Sequence, residues 1–113
     1  MDVTPLIPEG LQRIEAYGDG GFRITGMRYE SAVFVLPDET LVWPDAGLEG
    51  ITGDVFSPVT DRKTVPEILL LGTGSRTAFI LPSVKAAIRE KGPVMDIMDT
   101  GAACRTYNVL LAE

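Results

Sequence analysis

The sequence of 113 residues contains no histidine and one cysteine, Cys104. A serine or cysteine nucleophile activated by histidine is therefore excluded, as is a zinc site with ordinary ligands. Carboxylates, lysines, tyrosines and threonines are the side chains left for chemistry. Cys104 lies in an apolar helical segment, where a lone cysteine is usually a small buried hydrophobe. The residues alone leave either chemistry by these side chains or none; they indicate no catalytic residue, and we expect no metal and no cofactor.

The residues that could still bind a ligand follow two short apolar runs. Ile68–Leu71 ends in Gly72-Thr73-Gly74, and Val94–Met98 ends in Asp99-Thr100-Gly101. In open α/β sheets, ligands bind outside the carboxyl ends of the strands. We therefore predict a crevice for a ligand or partner that is formed by these exits and by residues close behind them: Gly72, Thr73, Gly74, Arg76, Asp99, Thr100, Arg105 and Asn108.

The glycine pair has two interpretations. Gly72-x-Gly74 matches part of a dinucleotide-binding loop, but Thr77 occupies the third glycine position. The residues that follow are typical of a strand, whereas a dinucleotide-binding loop leads into a helix. Two glycines that turn the chain sharply off the sheet are the favoured interpretation.

The start of the last helix also has two interpretations. Free N–H groups at a helix N-terminus can hold an anion. Asp99 or Thr100 can instead cap these groups. A carboxylate cap weakens the binding of an external anion, because its negative charge already lies at the positive end of the helix. Arg76 and Arg105 could each clasp a carboxylate ligand or pair with a nearby acidic side chain. Capping and pairing are the favoured roles.

Hydrophobic patterning predicts the elements that hold these residues. The uninterrupted apolarity of Ile68–Leu71 predicts a strand covered on both faces, as in a parallel sheet. Pro82 suits the first turn of a helix over 83–91, and Val94–Met98 is the next strand. Such a strand–helix–strand connection is right-handed and parallel. A brief strand is also predicted over 77–80.

The last helix is predicted to run from Thr100 to Glu113. Its apolar face is predicted to consist of Ala103, Tyr107, Leu110 and Leu111. The polar ends of buried side chains need hydrogen-bond partners. We therefore expect Tyr107 and Asn108 to tie this helix to the glycine loop at 72–74.

The first half is predicted to be antiparallel. Leu11–Tyr17 is followed by a glycine-rich turn at 18–21 and a returning strand. Ser31–Leu36 and Leu41–Trp43 form a hairpin around a turn at 37–40.

Together these elements predict an α/β fold. We expect a flexible N-terminal arm over 1–10 and one domain over 11–113. The domain would combine the antiparallel front half, a parallel β-α-β unit at about 67–98 and the C-terminal helix. The length suits a single domain of this size.

The net charge of −6 argues against binding to nucleic acid, which depends on neutralising phosphates. The acidity is concentrated in residues 1–61, which carry 11 acidic and 3 basic side chains (−8). Residues 62–113 carry 5 acidic and 7 basic side chains (+2), so this half is either an ordinary solvated surface, which we favour, or weakly attractive to anions.

The apolar runs are too short for a membrane span, and the start lacks a signal-peptide pattern. One cysteine excludes an internal disulfide and fits a reducing compartment. We therefore expect a cytoplasmic protein of bacterial type, or a mitochondrial matrix protein that lacks its transit peptide.

Three stretches of the sequence resemble a known family. They are Gly21-Phe22-Arg23-Ile24, the segment 66–74, and the segment from Met98-Asp99-Thr100 through 103–110, of which the last is the most specific. The family is a small domain family of unknown biochemical function. It includes the mitochondrial respiratory complex I (NADH:ubiquinone oxidoreductase) assembly factor 3 and the adipogenesis-associated Mth-type domain protein. The resemblance covers nearly the whole chain.

The resemblance implies a compact three-layer α/β domain with a mixed central sheet. It also implies a role in assembling the matrix arm of complex I, without known catalysis, although many bacterial members have no assigned role. The final helix of the family usually runs further than this sequence, which stops at Glu113. The resemblance supplies no catalytic residues.

Three functional hypotheses follow. The leading one is a noncatalytic, assembly-factor-like domain that binds protein partners, namely subunits of a respiratory complex. The alternative is a protein that binds an anionic metabolite, or an enzyme, using the crevice between 72–76 and 99–105. The third is a homo-oligomeric structural unit with contacts through strand edges or through Trp43.

Overall fold

The computed structural model describes residues 10–43, 49 and 51–113. The chain divides into two compact units. The first comprises the described residues of Met1–Ala46 together with Cys104–Glu113, and the second is formed by those of Gly47–Ala103. Apart from Gly10, the predicted N-terminal arm lies outside the described residues.

The first unit begins with an antiparallel sheet of three strands in the order β1-β2-β3. The strands are β1 (Ile14–Gly18), β2 (Gly21–Ile24) and β3 (Met27–Tyr29). The turn between β1 and β2 contains Asp19 at φ 51° and Gly20 at φ 75°. Positive φ at both central residues suits a tight hairpin, because it matches the twist of the strands. The glycine-rich turn is therefore confirmed.

Strand β3 pairs with β2 through Ile24↔Met27 and was not predicted from the sequence. The connecting turn has Thr25 at φ 45° and Gly26 at φ 81°. A β-branched residue is rarely found at positive φ, so this turn had no typical sequence signal. Hydrogen bonds to neighbouring residues hold it: the N–H of Gly26 donates to Glu15 Oε1 over 2.7 Å, and the N–H of Arg13 donates to Thr25 Oγ1 over 2.8 Å.

The predicted hairpin that follows is confirmed as β4 (Val33–Val35) paired antiparallel with β5 (Thr40–Val42). The rings of Phe34 and Trp43 stack with their centroids 4.7 Å apart, and both side chains are buried. Trp43 therefore stabilises the hairpin as part of the core.

The second unit contains a 3₁₀ helix (Gly53–Phe56), α1 (Ser57–Thr60), β6 (Ile68–Gly72), α2 (Pro82–Glu90) and β7 (Val94–Met98). Strands β6 and β7 are parallel, with Leu69 opposite Met95 and Leu71 opposite Ile97. The predicted β-α-β unit is thus confirmed. Helix α2 packs against β7 and the 3₁₀ helix, with Val84 and Ile88 buried.

Two expectations for this unit need correction. Strand β6 is less covered than its apolarity predicts, since Leu71 is buried whereas Ile68 is 49% exposed. No strand forms over 77–80, where the chain runs in an irregular segment. Pro58 lies in the first turn of α1, where its missing N–H is not needed.

Helix α3 runs from Thr100 to Leu111, close to the predicted range. In the first unit, Cys104 packs with Ile14 and Ile24, and Tyr107 lies against this cluster. Leu110 was predicted on the apolar face but is 41% exposed. The buried stripe is therefore centred on Cys104 rather than on the leucines at the end of the helix.

These elements confirm the α/β class, the antiparallel first half and the C-terminal helix. Among the described residues the strands are hydrogen-bonded in three sheets, so the antiparallel and parallel pairings belong to separate sheets. None of the helices described is both long enough and apolar enough to cross a membrane.

Candidate functional site

The exits of β6 and β7 lie side by side, as the sequence predicts for parallel neighbours. Gly72 is opposite Met98 in the register, and the N–H of Thr73 donates to the carbonyl oxygen of Met98 over 3.0 Å. The ladder thus extends one residue beyond the last strand residue of β6. The loop after Gly72 and the start of α3 are therefore neighbours.

Two reciprocal hydrogen bonds join that loop to α3. The N–H of Gly74 donates to Thr100 Oγ1 over 2.8 Å, and the N–H of Thr100 donates to the carbonyl oxygen of Gly74 over 2.8 Å. Gly74 has φ 89°, a conformation that glycine adopts without strain. The N–H and C=O of Gly74 and the N–H and hydroxyl of Thr100 are therefore bonded to each other.

Thr73 organises the rest of the loop through its hydroxyl group. The hydroxyl donates to the carbonyl oxygen of Arg76 over 2.6 Å and accepts from the N–H of Ala78 over 3.0 Å. The Ala78 N–H is therefore not available to a strand ladder at 77–80, because a side chain has taken this main-chain donor.

Asp99 caps α3. Its Oδ1 accepts from the N–H of Ala102 over 2.9 Å, which satisfies one of the free donors of the first turn. The carboxylate also places negative charge at the positive end of the helix, so an external anion is disfavoured there. Of the two caps considered from the sequence, Asp99 takes this role and Thr100 bonds the glycine loop.

Gly72 permits the close approach of β6 and α3. A Cβ at this position would lie 3.0 Å from the Cα of Thr100 and 3.2 Å from the Cβ of Ala103. A side chain here would push against the helix backbone, which cannot move aside cheaply. The glycine is needed for packing at this point.

The structure brings together the predicted site residues of the second unit, namely Gly72, Thr73, Gly74, Arg76, Asp99 and Thr100. The side chain of Arg76 is exposed. Ligand binding at these residues stays a prediction. The hydroxyls of Thr73 and Thr100 and one carboxylate oxygen of Asp99 are already engaged within the loop and the helix start.

Arg105 and Asn108 belong to the first unit, where they bond to β1. Arg105 Nη1 donates to the hydroxyl oxygen of Tyr17 over 2.6 Å, rather than pairing with a carboxylate. Asn108 Oδ1 accepts from the N–H of Ile14 over 3.1 Å, and its Nδ2 donates to the carbonyl oxygen of Ile14 over 2.7 Å. Asn108 thus acts as a strand partner for β1.

Tyr107 anchors the same helix to the same region of the chain. Its hydroxyl donates to the carbonyl oxygen of Gln12 over 2.7 Å. The expectation that Tyr107 and Asn108 tie α3 to the glycine loop is therefore wrong. Both residues satisfy the main chain at 12–14, which sequence spacing alone does not indicate.

Cys104 is a buried thiol, with 4% of its surface exposed. Burial raises the pKa of Cys104 from 9.0 to about 11, and the nearby positive charge of Arg105 opposes this shift only in part. The thiolate needed for nucleophilic attack is therefore scarce near neutral pH. The interpretation of Cys104 as a small buried hydrophobe is confirmed.

A further surface feature was missed by the sequence analysis. A groove of about 280 Å³ lies between α2 and β7, and it is lined by Lys85, Ala86, Arg89, Val94 and Met95. The available signal was the spacing of Lys85 and Arg89, which places both on one side of α2 away from its buried stripe. A basic pair on an exposed helix face is common, so the spacing alone did not mark a groove.

Comparison with known proteins adds three relatives. NADH dehydrogenase (ubiquinone) 1 alpha subcomplex assembly factor 3 of Homo sapiens is 34% identical over 100 residues, which are 88% of this chain and 54% of that protein. The chain spans about half the length of the curated relatives of this name that it matches.

A crystal structure from Bordetella parapertussis has a TM-score of 0.80 and 33% identity, and the match covers 93% of this chain and 90% of that one. A solution structure from Bordetella pertussis, described as a Mth938-like domain, has a TM-score of 0.77 and 27% identity. That match covers 99% of this chain and 85% of the other.

The model of one protein family, described as a protein of unknown function (DUF498/DUF598), matches residues 14–113. This range contains every strand and helix described above. The agreement of sequence and fold over nearly the whole chain has one conclusion: the chain belongs to the DUF498/DUF598 family.

Proposed function

We propose that this chain is a noncatalytic protein-binding domain with an assembly-factor-like role, whose partners are subunits of respiratory complex I or proteins that assemble it. The observation that carries the proposal is the reciprocal pairing of Gly74 and Thr100. It engages four polar groups at the strand exits that a small molecule could otherwise bind.

Two further observations support this role. The curated relatives that align over 88% of the chain are named as assembly factor 3 of the NADH dehydrogenase (ubiquinone) 1 alpha subcomplex. The buried Cys104 has a pKa raised to about 11, which suits a structural thiol better than a reactive one. Binding through a surface needs neither an activated nucleophile nor an open cleft.

Affinity capture tests the proposal. The tagged chain is expressed in a bacterium that encodes both this chain and complex I, and captured proteins are quantified by mass spectrometry. We expect complex I subunits or their assembly partners to be enriched, and an excess of untagged chain should compete them away. Enrichment no greater than with the tag alone, or enrichment that resists competition, would contradict the proposal.

A chimaera gives a second test in the setting of the human relative. Its matching 100-residue segment is exchanged for residues 14–113 of this chain, which leaves the remainder of the longer protein in place. We expect the chimaera to restore some assembled complex I, seen on native gels, in human cells that lack assembly factor 3. A stable chimaera that restores none would argue against a shared role.

A further inference from the structure

We propose that the free edge of β7 is a docking site for an extended, acidic segment of a partner protein, which adds a strand beside β7 under α2. This inference rests on the proposed protein-binding function and assigns it a surface. It is carried by the direction of the β7 hydrogen bonds, by the groove beside them and by the charge of its rim.

The hydrogen bonds at the two ends of the parallel pair set the direction of every main-chain group in β7. The N–H of Val94 donates to the carbonyl oxygen of Glu67 over 2.9 Å, and the carbonyl oxygen of Met98 accepts from the N–H of Thr73 over 3.0 Å. Alternate residues of a parallel strand face the same partner. Met95 and Ile97 therefore direct their N–H and C=O groups away from β6.

Among the described residues, β7 pairs with β6 alone. A strand edge with unpaired donors and acceptors is a template for another strand. Peptides commonly bind proteins in this way, with main-chain hydrogen bonds giving affinity and side-chain pockets giving specificity. The main-chain groups of Met95 and Ile97 have the direction that this mode of binding needs. Ile97 is partly exposed, whereas Met95 is 4% exposed and would be reached through the groove that it lines.

The groove lies on the side of β7 to which the main-chain groups of Met95 and Ile97 point. Its described lining residues come from α2 and from Val94 and Met95 of β7, and none comes from β6. An added strand would therefore place every second side chain between β7 and α2. The other side chains would lie on the face of Val94, which is 51% exposed and is paired in the register with Ile68, which is 49% exposed.

The charges of Lys85 and Arg89, which form the rim of the groove, indicate which side chains of a partner segment would bind there. Lys85 and Arg89 line the groove from one side of α2, and both are exposed. Carboxylates on the α2 side of an added strand would be attracted to them, whereas basic side chains would be repelled. Apolar side chains on the other face would cover Val94. The expected segment therefore alternates acidic and apolar residues.

Amide hydrogen exchange of the whole chain, followed by NMR, tests this inference. In the free chain, the amides of Met95 and Ile97 should exchange faster than those of Val94 and Asp96, which face β6. The probe is a capped synthetic peptide in which glutamate and valine alternate. At saturation it should slow exchange at Met95 and Ile97 by about tenfold and leave Val94 and Asp96 unchanged.

Three controls make the result specific. A peptide of alternating lysine and valine should give no protection. Lys85→Glu should weaken binding of the glutamate peptide by about fivefold, because a rim charge is reversed. Lys63→Glu changes an exposed lysine that does not line the groove, and it should leave binding unaltered. Arg89 is left in place because its Nη1 donates to the carbonyl oxygen of Gly92 over 2.8 Å.

Several outcomes would overturn the docking site. One is that the amides of Met95 and Ile97 are already protected from exchange in the free monomer. Others are that millimolar glutamate peptide gives no protection, or that the lysine peptide binds equally well. The last is a dimer, detected by light scattering, in which these two amides are protected without peptide. These outcomes do not depend on complex I. Capture of complex I subunits that is equal for wild type and Lys85→Glu would reject this surface alone, whereas failed capture by wild type counts against the proposed function.

Discussion

Gly74 and Thr100 exchange two hydrogen bonds of 2.8 Å, one to the threonine hydroxyl and one between main-chain groups, although they lie 26 residues apart in the chain. The pair joins the loop after β6 to the first residue of α3. It therefore stabilises the junction that the sequence analysis interpreted as a ligand crevice.

Replacement of Thr100 by valine keeps the shape of the side chain and removes the acceptor of the Gly74 N–H. We expect a loss of about 1 kcal/mol in the free energy of unfolding, since the donor is exposed and can bond to water instead. Urea denaturation measures the change. Thr100→Ser keeps the hydroxyl and should be closer to wild type; a valine variant as stable as the serine variant would show that the hydrogen bond contributes nothing.

Asn108→Leu removes both hydrogen bonds that the side chain makes to Ile14. Because these contacts are half-buried, two main-chain groups are left unsatisfied, and we expect a loss of about 2–3 kcal/mol. Val109→Ala, at the exposed neighbouring position, is the control and should change stability by no more than about 0.5 kcal/mol. Faster amide exchange at Ile14 in the leucine variant alone would locate the effect, and equal stability of the two variants would contradict it.

Alkaline pH should destabilise the protein through the buried thiol of Cys104 and the partly buried phenol of Tyr107. Burial raises the pKa of Cys104 from 9.0 to about 11, and burial followed by the charge of Asp38 raises the pKa of Tyr107 from 10.0 to about 12. The folded state therefore holds both protons more tightly than the unfolded state does. The stabilisation is complete below pH 9.0 and is lost as pH rises toward about 11 for the thiol and about 12 for the phenol.

The measurement is the free energy of unfolding in urea from pH 8 upward. Cys104→Ala should flatten the part of the curve between pH 9.0 and about 11, whatever its effect on stability at lower pH. A slope in that interval that is the same with and without the thiol would show that Cys104 does not contribute to alkaline unfolding.

Anions should not stabilise the wild-type chain at the start of α3, because Asp99 already occupies the helix N-terminus. We expect no rise in melting temperature across a set of anionic metabolites. Asp99→Ala should lower stability by about 1 kcal/mol and should be stabilised by sulfate more than wild type is, since the Ala102 N–H is freed. A clear rise for wild type with one metabolite would instead favour the crevice hypothesis, because a bound ligand raises the melting temperature by mass action.

Local patterns were sufficient for the elements with strong signals. The apolar runs that became β6 and β7, the Pro82 start of α2 and the glycine-rich turn before β2 depend on backbone preferences and periodicity within a few residues. The same patterns failed at β3, whose turn places Thr25 at positive φ, and at 77–80, where the hydroxyl of Thr73 binds a main-chain donor.

For the polar side chains at the predicted site, the sequence indicated the kind of role, whereas the tertiary structure decided the hydrogen-bond partner. Residue type and position predicted that Asp99 or Thr100 would cap α3, and that Cys104 would be a buried hydrophobe. The tertiary structure assigned the cap to Asp99, the loop contact to Thr100 and the β1 contact to Asn108. Hydrogen bonds between residues far apart in the chain depend on distances of a few tenths of an ångström, which the chain acquires only when its elements pack.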